Sequence, residues 1–228
     1  GNFKCHTALH KHPQHRRRDK GMAQLFRPGA NTIAVVTIVG VFIAPAAAVA
    51  LTYLLWNSPY ATDQFLTRAQ PVPFSHAHHV GDLGLDCRMC HTGVEKAAFA
   101  GVPSTHVCMT CHSQIWTNAA MLAPVRESLA SGKPLQWRRV NRLPDYVFFD
   151  HSIHVAKGRG GAGGQGPVHE RALMRQQQPL VMGWCLNCHR DPARYIRPKN
   201  EVFNMDWQTP PDQLAKGREL IRQYLIHP

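Results

Sequence analysis

The sequence predicts a mainly α-helical domain with much irregular structure, carried on a single N-terminal transmembrane helix. Three observations lead there. Ile33 to Trp56 is a run of twenty-four residues without a charge. Downstream, C-x-x-C-H occurs three times, each unit short enough to be one helical turn. The rest of the 228 residues holds seventeen Gly and seventeen Pro with no alternation of strand and helix patterns, the composition of a loop-rich polypeptide.

Residues 1–30 carry seven Lys or Arg and one acid, Asp19, with no apolar periodicity, and read as a basic, solvated tail. Cys5-His6 has Asn2 where a first thiol would stand, so Cys5 is expected to be a free cysteine. Met22 offers an initiator just ahead of the apolar run, which makes residues 1–21 an upstream extension.

The anchor is placed at residues 31–57. As a helix, twenty-four residues span roughly 36 Å, enough to cross the hydrocarbon core. A cleavable signal peptide is the alternative, with Ala46-Ala47-Ala48 as its small-residue site. Its apolar region would be about 7 to 15 residues long, whereas this one continues to Leu55. Tyr53, Trp56 and Tyr60 mark one interface, and the basic tail puts the other end in the cytoplasm. Residues 61–228 are then expected outside a bacterial cytoplasmic membrane, in the periplasm.

The three motifs are Cys87-Arg88-Met89-Cys90-His91, Cys108-Met109-Thr110-Cys111-His112 and Cys185-Leu186-Asn187-Cys188-His189. This is the attachment pattern of c-type haem. Two thiols one helical turn apart bond to one porphyrin edge, and the adjacent imidazole reaches the iron. His91, His112 and His189 are the expected proximal ligands of three covalently bound haem c groups. A zinc ribbon competes, because seventeen residues separate the first two Cys pairs. It leaves the third pair alone and ignores the histidines: with 15 His in 228 residues, one following every pair by chance has a probability of about 3 in 10,000. A thioredoxin-type redox pair wants one motif in a βαβ setting. The charge agrees with haem. Propionates of three haems would cancel about half of the formal net charge of +12, and no motif supports nucleic-acid binding.

Distal ligands are sought among the remaining histidines. Phe74-Ser75-His76-Ala77-His78-His79 and Phe149-Asp150-His151-Ser152-Ile153-His154 share the pattern F-x-H-x-x-H. Histidines three apart leave one face of a helical turn but diverge, which suits two different irons. His76, His79, His151 and His154 are the distal candidates, with His106 and Met182 in reserve. His10, His12, His15, His169 and His227 are assigned to solvent.

Trp137 to Phe149 reads as extended chain. Lys157 to Pro167, KGRGGAGGQGP, reads as a flexible Gly-rich linker at residues 157–167, too loose to hold a site. Asp191 to Pro211 is a Pro-punctuated loop. A C-terminal helix at residues 211–226, with Leu214, Leu220, Ile221, Tyr224 and Leu225 on its apolar face, is a docking or capping element.

In order, PVPFSHAHH, DCRMCH, AGVPSTHVCMTCH, LQWRRVNRLPDYVFFDHSIH and PLVMGWCLNCHRD resemble the membrane-anchored multihaem cytochrome c subunit of alternative complex III, over about residues 22 to 200. The resemblance implies a class III-like multihaem cytochrome c domain and a role in quinol oxidation, with electrons passed to a periplasmic cytochrome or a terminal oxidase. It implies as partners an iron–sulfur and molybdopterin-oxidoreductase-like subunit, polysulfide-reductase-like quinol-binding membrane subunits and a monohaem cytochrome c. That family is usually pentahaem, with a further motif after the second F-x-H-x-x-H, where this chain has its Gly-rich segment. In class III cytochromes the first His of such a pair serves the next haem downstream and the second a remote one. By that resemblance His76 serves the Cys87 to His91 haem, His79 and His154 serve the other two, and His151 is the orphan.

The expected role is thus an electron-carrying subunit without a substrate pocket of its own. A self-sufficient membrane-anchored quinol dehydrogenase, with one weak or open axial position, is the alternative. A catalytic multihaem reductase would need a vacant haem site and a substrate channel.

Overall fold

The computed structural model describes Arg27 and residues 29–227. Residues 1–26, which hold Cys5, Met22, His10, His12 and His15, lie outside the described residues, as do residue 28 and Pro228. The chain divides into two compact units, residues 1–50 and 51–228.

Helix α1 runs over Ala30–Trp56 and is long and apolar enough to cross a membrane. Its 27 residues give a length of about 40 Å. None of them is buried, and apolar side chains cover its whole circumference rather than one stripe, the distribution of a helix with no aqueous face. Pro45 lies inside it and brings no N–H to the helical ladder.

Residues 51–228 hold short helices joined by irregular chain, and among the described residues there are no strands beyond two isolated antiparallel bridges, Thr67 with Arg175 and Arg159 with Ile196. In order come α2 (Pro59–Thr62), a π-helical turn (Ala77–Asp82), α3 (Cys87–Cys90), α4 (Thr105–His112), α5 (Ala123–Ser131), α6 (His151–Ala156), α7 (Ala162–Gln165), α8 (Met182–Arg190) and α9 (Gln213–Gln223). Short 3-10 turns precede α5 and lie between α7 and α9.

The polypeptide core is small. Among the described residues the buried apolar side chains are Val72, Leu122, Val125, Leu180, Ala193, Ile196 and Val202. Val72, Leu122 and Val125 form one cluster, flanked by Cys108, Met109 and Trp137. Where hydrophobic burial is scarce, polar ties carry more of the architecture. Gln176, 1% exposed, donates from Nε2 to the Thr62 carbonyl at 2.7 Å and accepts the Arg142 N–H at 2.9 Å, joining three distant segments.

Two expectations need correction. Residues 157–167 are not a loose tether: Gly158, Gly160 and Gly166 are buried, and Ala162–Gln165 forms α7. The glycines are there for close approach. A Cβ on Gly160 would run into the Arg197 guanidinium and one on Gly163 into that of Arg159, while Gly158, at φ +81°, faces the Arg197 carbonyl. The stretch from Asp191 to Pro211, expected as a Pro-punctuated loop, contains two 3-10 turns and the buried Ala193, Ile196 and Val202. Helix α9 docks through Gly217 against the Ala193 backbone and through Gln213, which donates to the Ala193 and Ile196 carbonyls at 2.8 Å each, while Leu214 and Leu225 are exposed.

Candidate functional site

Each C-x-x-C-H unit is a helical turn, and local chemistry explains why. Asp86 caps α3 by accepting from the Arg88 backbone N–H at 2.8 Å, and its carboxylate also holds the Arg88 guanidinium. The His91 N–H closes the turn onto the Cys87 carbonyl at 2.8 Å. Ser104 sits at the extended N-cap position of α4, which carries Cys108, Cys111 and His112. Helix α8 carries Cys185, Cys188 and His189. The six motif cysteines form no disulfides.

Burial pushes the thiols of Cys87, Cys90, Cys108, Cys185 and Cys188 upward. Among the described residues no three His, Cys, Asp or Glu side chains are grouped about a common ion position.

The two F-x-H-x-x-H segments fold alike. Phe74 stacks on His79 at 4.3 Å between ring centroids and meets His76 edge-on at 4.9 Å; Phe149 stacks on His154 at 4.2 Å and meets His151 edge-on at 4.9 Å. In both, the second histidine binds through Nδ1 to the carbonyl four residues back, His79 to Ser75 at 2.8 Å and His154 to Asp150 at 2.6 Å. The copies differ in winding: the first runs into the π-helical turn, the second forms α6, capped by the Asp150 carboxylate.

Each motif histidine faces a histidine from one of these segments. The ring centroids of His76 and His91 are 6.5 Å apart with planes within 2°. Those of His79 and His112 are 6.2 Å apart, and those of His154 and His189 are 6.1 Å apart. Two imidazole nitrogens that share a metal at about 2 Å each place their ring centroids roughly 6 Å apart. The spacing thus fits one metal between each pair. Nδ1 is engaged by a backbone carbonyl in His91 (Gly101, 2.6 Å), His112 (Ile115, 3.3 Å), His79 and His154, which leaves Nε2 to face outward as a ligand. Nδ1 of His76 is buried without a hydrogen-bond partner. Burial, with His91 and His79 nearby, brings His76 down to about 4, and burial likewise lowers His154. Both are therefore neutral at pH 7, the form that binds metal.

No family model matches the chain. Over 111 residues it is 39% identical to the menaquinone reductase, multihaem cytochrome c subunit, of Nitratidesulfovibrio vulgaris, a match covering 48% of this chain and 52% of that protein. Half of this chain is similar to half of a multihaem cytochrome c subunit. The chain thus spans about half the length of the curated relative it matches.

The remaining candidates are not brought together. His151 has no facing histidine; its Nδ1 and its backbone N–H both reach the Ala98 carbonyl, at 2.7 and 3.1 Å. His106 is exposed and Met182 is 47% exposed at the start of α8. His227 is exposed, as expected. His169, assigned to solvent, is instead partly buried: its Nδ1 has no partner, its Nε2 lies 3.4 Å from Asp206, and its carbonyl abuts Gly81 of the π-helical turn. Its sequence neighbourhood gave no periodic signal of that contact. Sequence reasoning also passed over Phe74 and Phe149, although both stand in the repeated pattern whose histidines it singled out.

Proposed function

We propose that the protein is an electron-carrying subunit of a quinone-linked membrane complex, bearing three c-type haems attached at Cys87/Cys90, Cys108/Cys111 and Cys185/Cys188. The observation that carries the reading is the facing of every motif histidine by a second imidazole: His91 by His76, His112 by His79 and His189 by His154. Haem c supplies one-electron ferric/ferrous chemistry when bound. The chain's residues would hold it in place. The cysteines would hold the haem covalently, and the paired imidazoles would ligate its iron. Phe74 and Phe149 lock the ring planes of His79 and His154 by stacking. A site with two strong imidazole ligands has no coordination position for a substrate, which supports a carrier rather than a self-sufficient dehydrogenase or reductase.

The apolar α1 supports a single-pass anchor in a bacterial cytoplasmic membrane. In this proposal the basic residues 1–30 are cytoplasmic and residues 61–228 are periplasmic. The resemblance to alternative complex III would make the direction quinol oxidation, toward a periplasmic cytochrome or terminal oxidase. Its partners would be the iron–sulfur/molybdopterin-oxidoreductase-like, polysulfide-reductase-like and monohaem cytochrome c subunits. The similarity to a menaquinone reductase subunit favours a second reading, in which electrons travel toward menaquinone through an equivalent membrane partner. Intact mass and a pyridine haemochrome assay test the haem count, and a mass increment other than three haems refutes it. Purification in mild detergent with mass spectrometry of co-purifying subunits, followed by assays with quinol and with quinone, decides the direction.

A further inference from the structure

A cavity of about 320 Å³ opens between α8 and the Gly-rich segment, lined among others by Cys188, Asn187, Trp207 and three arginines, Arg159, Arg194 and Arg197. Arg194 is neutralised by Asp191, which accepts from its Nε at 2.5 Å. The other two have no such partner: among the described residues no carboxylate lies within ion-pair distance of Arg159 or Arg197. Arg197 is 7% exposed and its Nε is buried without a hydrogen-bond partner. Its Nη1 donates only to backbone carbonyls, those of Asn204 at 3.0 Å and Glu201 at 3.3 Å. The Glu201 carboxylate, the acid nearest in charge, is taken up by the side-chain amides of Asn200 and Asn204. Arg159 donates to the Tyr195 carbonyl at 3.3 Å.

Two guanidiniums are thus held close together, flanked by Tyr195 and Trp207, each ring centroid 5.5 Å from the nearer guanidinium carbon. An unpaired buried charge is costly, and two of one sign beside each other more so. The backbone is nevertheless cut to fit them: Gly160 and Gly163 leave room where any Cβ would collide with the guanidiniums. Such an arrangement is complete only with an anion between its forks, and a planar guanidinium pairs best with carboxylate or phosphate oxygens.

We propose that Arg159 and Arg197 form an anion seat that takes an oxyanion of the carboxylate or phosphate type. Its place beside Cys188, with Arg159 five residues along the chain from His154, favours a haem propionate as the source. That source rests on the haem reading given above; the anion affinity of the seat does not.

The test uses the full-length, haem-loaded protein in detergent, with Arg159→Gln, Arg197→Gln and the charge-keeping Arg197→Lys. For a propionate, redox titration of either Gln variant shows one haem's midpoint potential lowered and the others in place, because a positive charge that disfavours ferric iron is gone, while the covalent haem mass is unchanged. Arg197→Lys stays near the parent. For a free anion, calorimetry with inorganic phosphate gives saturable binding to the parent protein that Arg159→Gln abolishes, with all potentials unmoved. Unchanged potentials together with no phosphate binding overturn the seat. A mass lacking the haem on Cys185 and Cys188 faults the haem reading instead, and the phosphate titration then decides alone. Should Arg197→Gln fail to fold, Arg159→Gln still decides, since its guanidinium is tied to the fold by one carbonyl bond.

Discussion

His151 and His154 occupy one turn of α6, three residues apart, yet their replacement by Ala has opposite expected outcomes. His154 faces His189 at 6.1 Å, stacks on Phe149 at 4.2 Å and binds the Asp150 carbonyl at 2.6 Å. Removing it deletes one of the three facing imidazole pairs, so about a third of the low-spin haem signal should convert to high-spin, with covalent attachment intact. Removing His151 breaks its Nδ1 bond to the Ala98 carbonyl. That carbonyl keeps the His151 backbone N–H at 3.1 Å, so no buried acceptor is orphaned. The cost is at most about 1 kcal/mol, a fall in melting temperature of roughly 2–4 °C for a domain of this size. Electron paramagnetic resonance and visible spectra of the purified variants, with thermal melts, separate the two. Loss of low-spin signal in His151→Ala, or its full retention in His154→Ala, would show that the ligand assignment is wrong.

Because burial holds His76 near 4 against an ordinary value of 6.5, the unfolded chain binds the extra proton first. The contribution of neutral His76 is complete above pH 6.5 and is lost as pH falls through 4, in total roughly 3 kcal/mol. Acid unfolding of the haem-free chain should show stability falling in that window, and a His76→Ala variant should lack that part of the pH dependence. Gly217→Ala, normally a gain within a helix, should instead lower stability by about 1–3 kcal/mol, because its Cβ would strike the Ala193 backbone. Gly161→Ala, which meets nothing within 4 Å at φ −59°, should be neutral or slightly stabilising; reversed melting shifts would refute the packing described here. Protease added to spheroplasts should remove residues 61–228 and spare the basic tail, whereas a cytoplasmic haem domain would survive intact.

The motifs were legible in the sequence because the proposed covalent attachment to a rigid macrocycle would leave little freedom in residue type or spacing, so Cys87 to His91 would read the same in any fold. The paired histidines were legible for a related reason, since both copies carry the same side chains at the same offsets. The Gly-rich segment was misread because composition reports that backbone can bend, not whether something else needs the space; only the positions of Arg159 and Arg197 decide that. His169 and Gly217 escaped for a similar reason. Each matters through a contact with chain distant in sequence, the π-helical turn for one and Ala193 for the other, and neither partner announces itself locally.

His76 and His79 stand three residues apart, at the start of the π-helical turn, yet face two different motif histidines, His91 and His112. The distance between those two inter-imidazole spaces is therefore set by a stretch of continuous backbone, which acts as a ruler, and not by how two separate segments happen to dock. A displacement of the turn carries both imidazoles together as a common-mode motion.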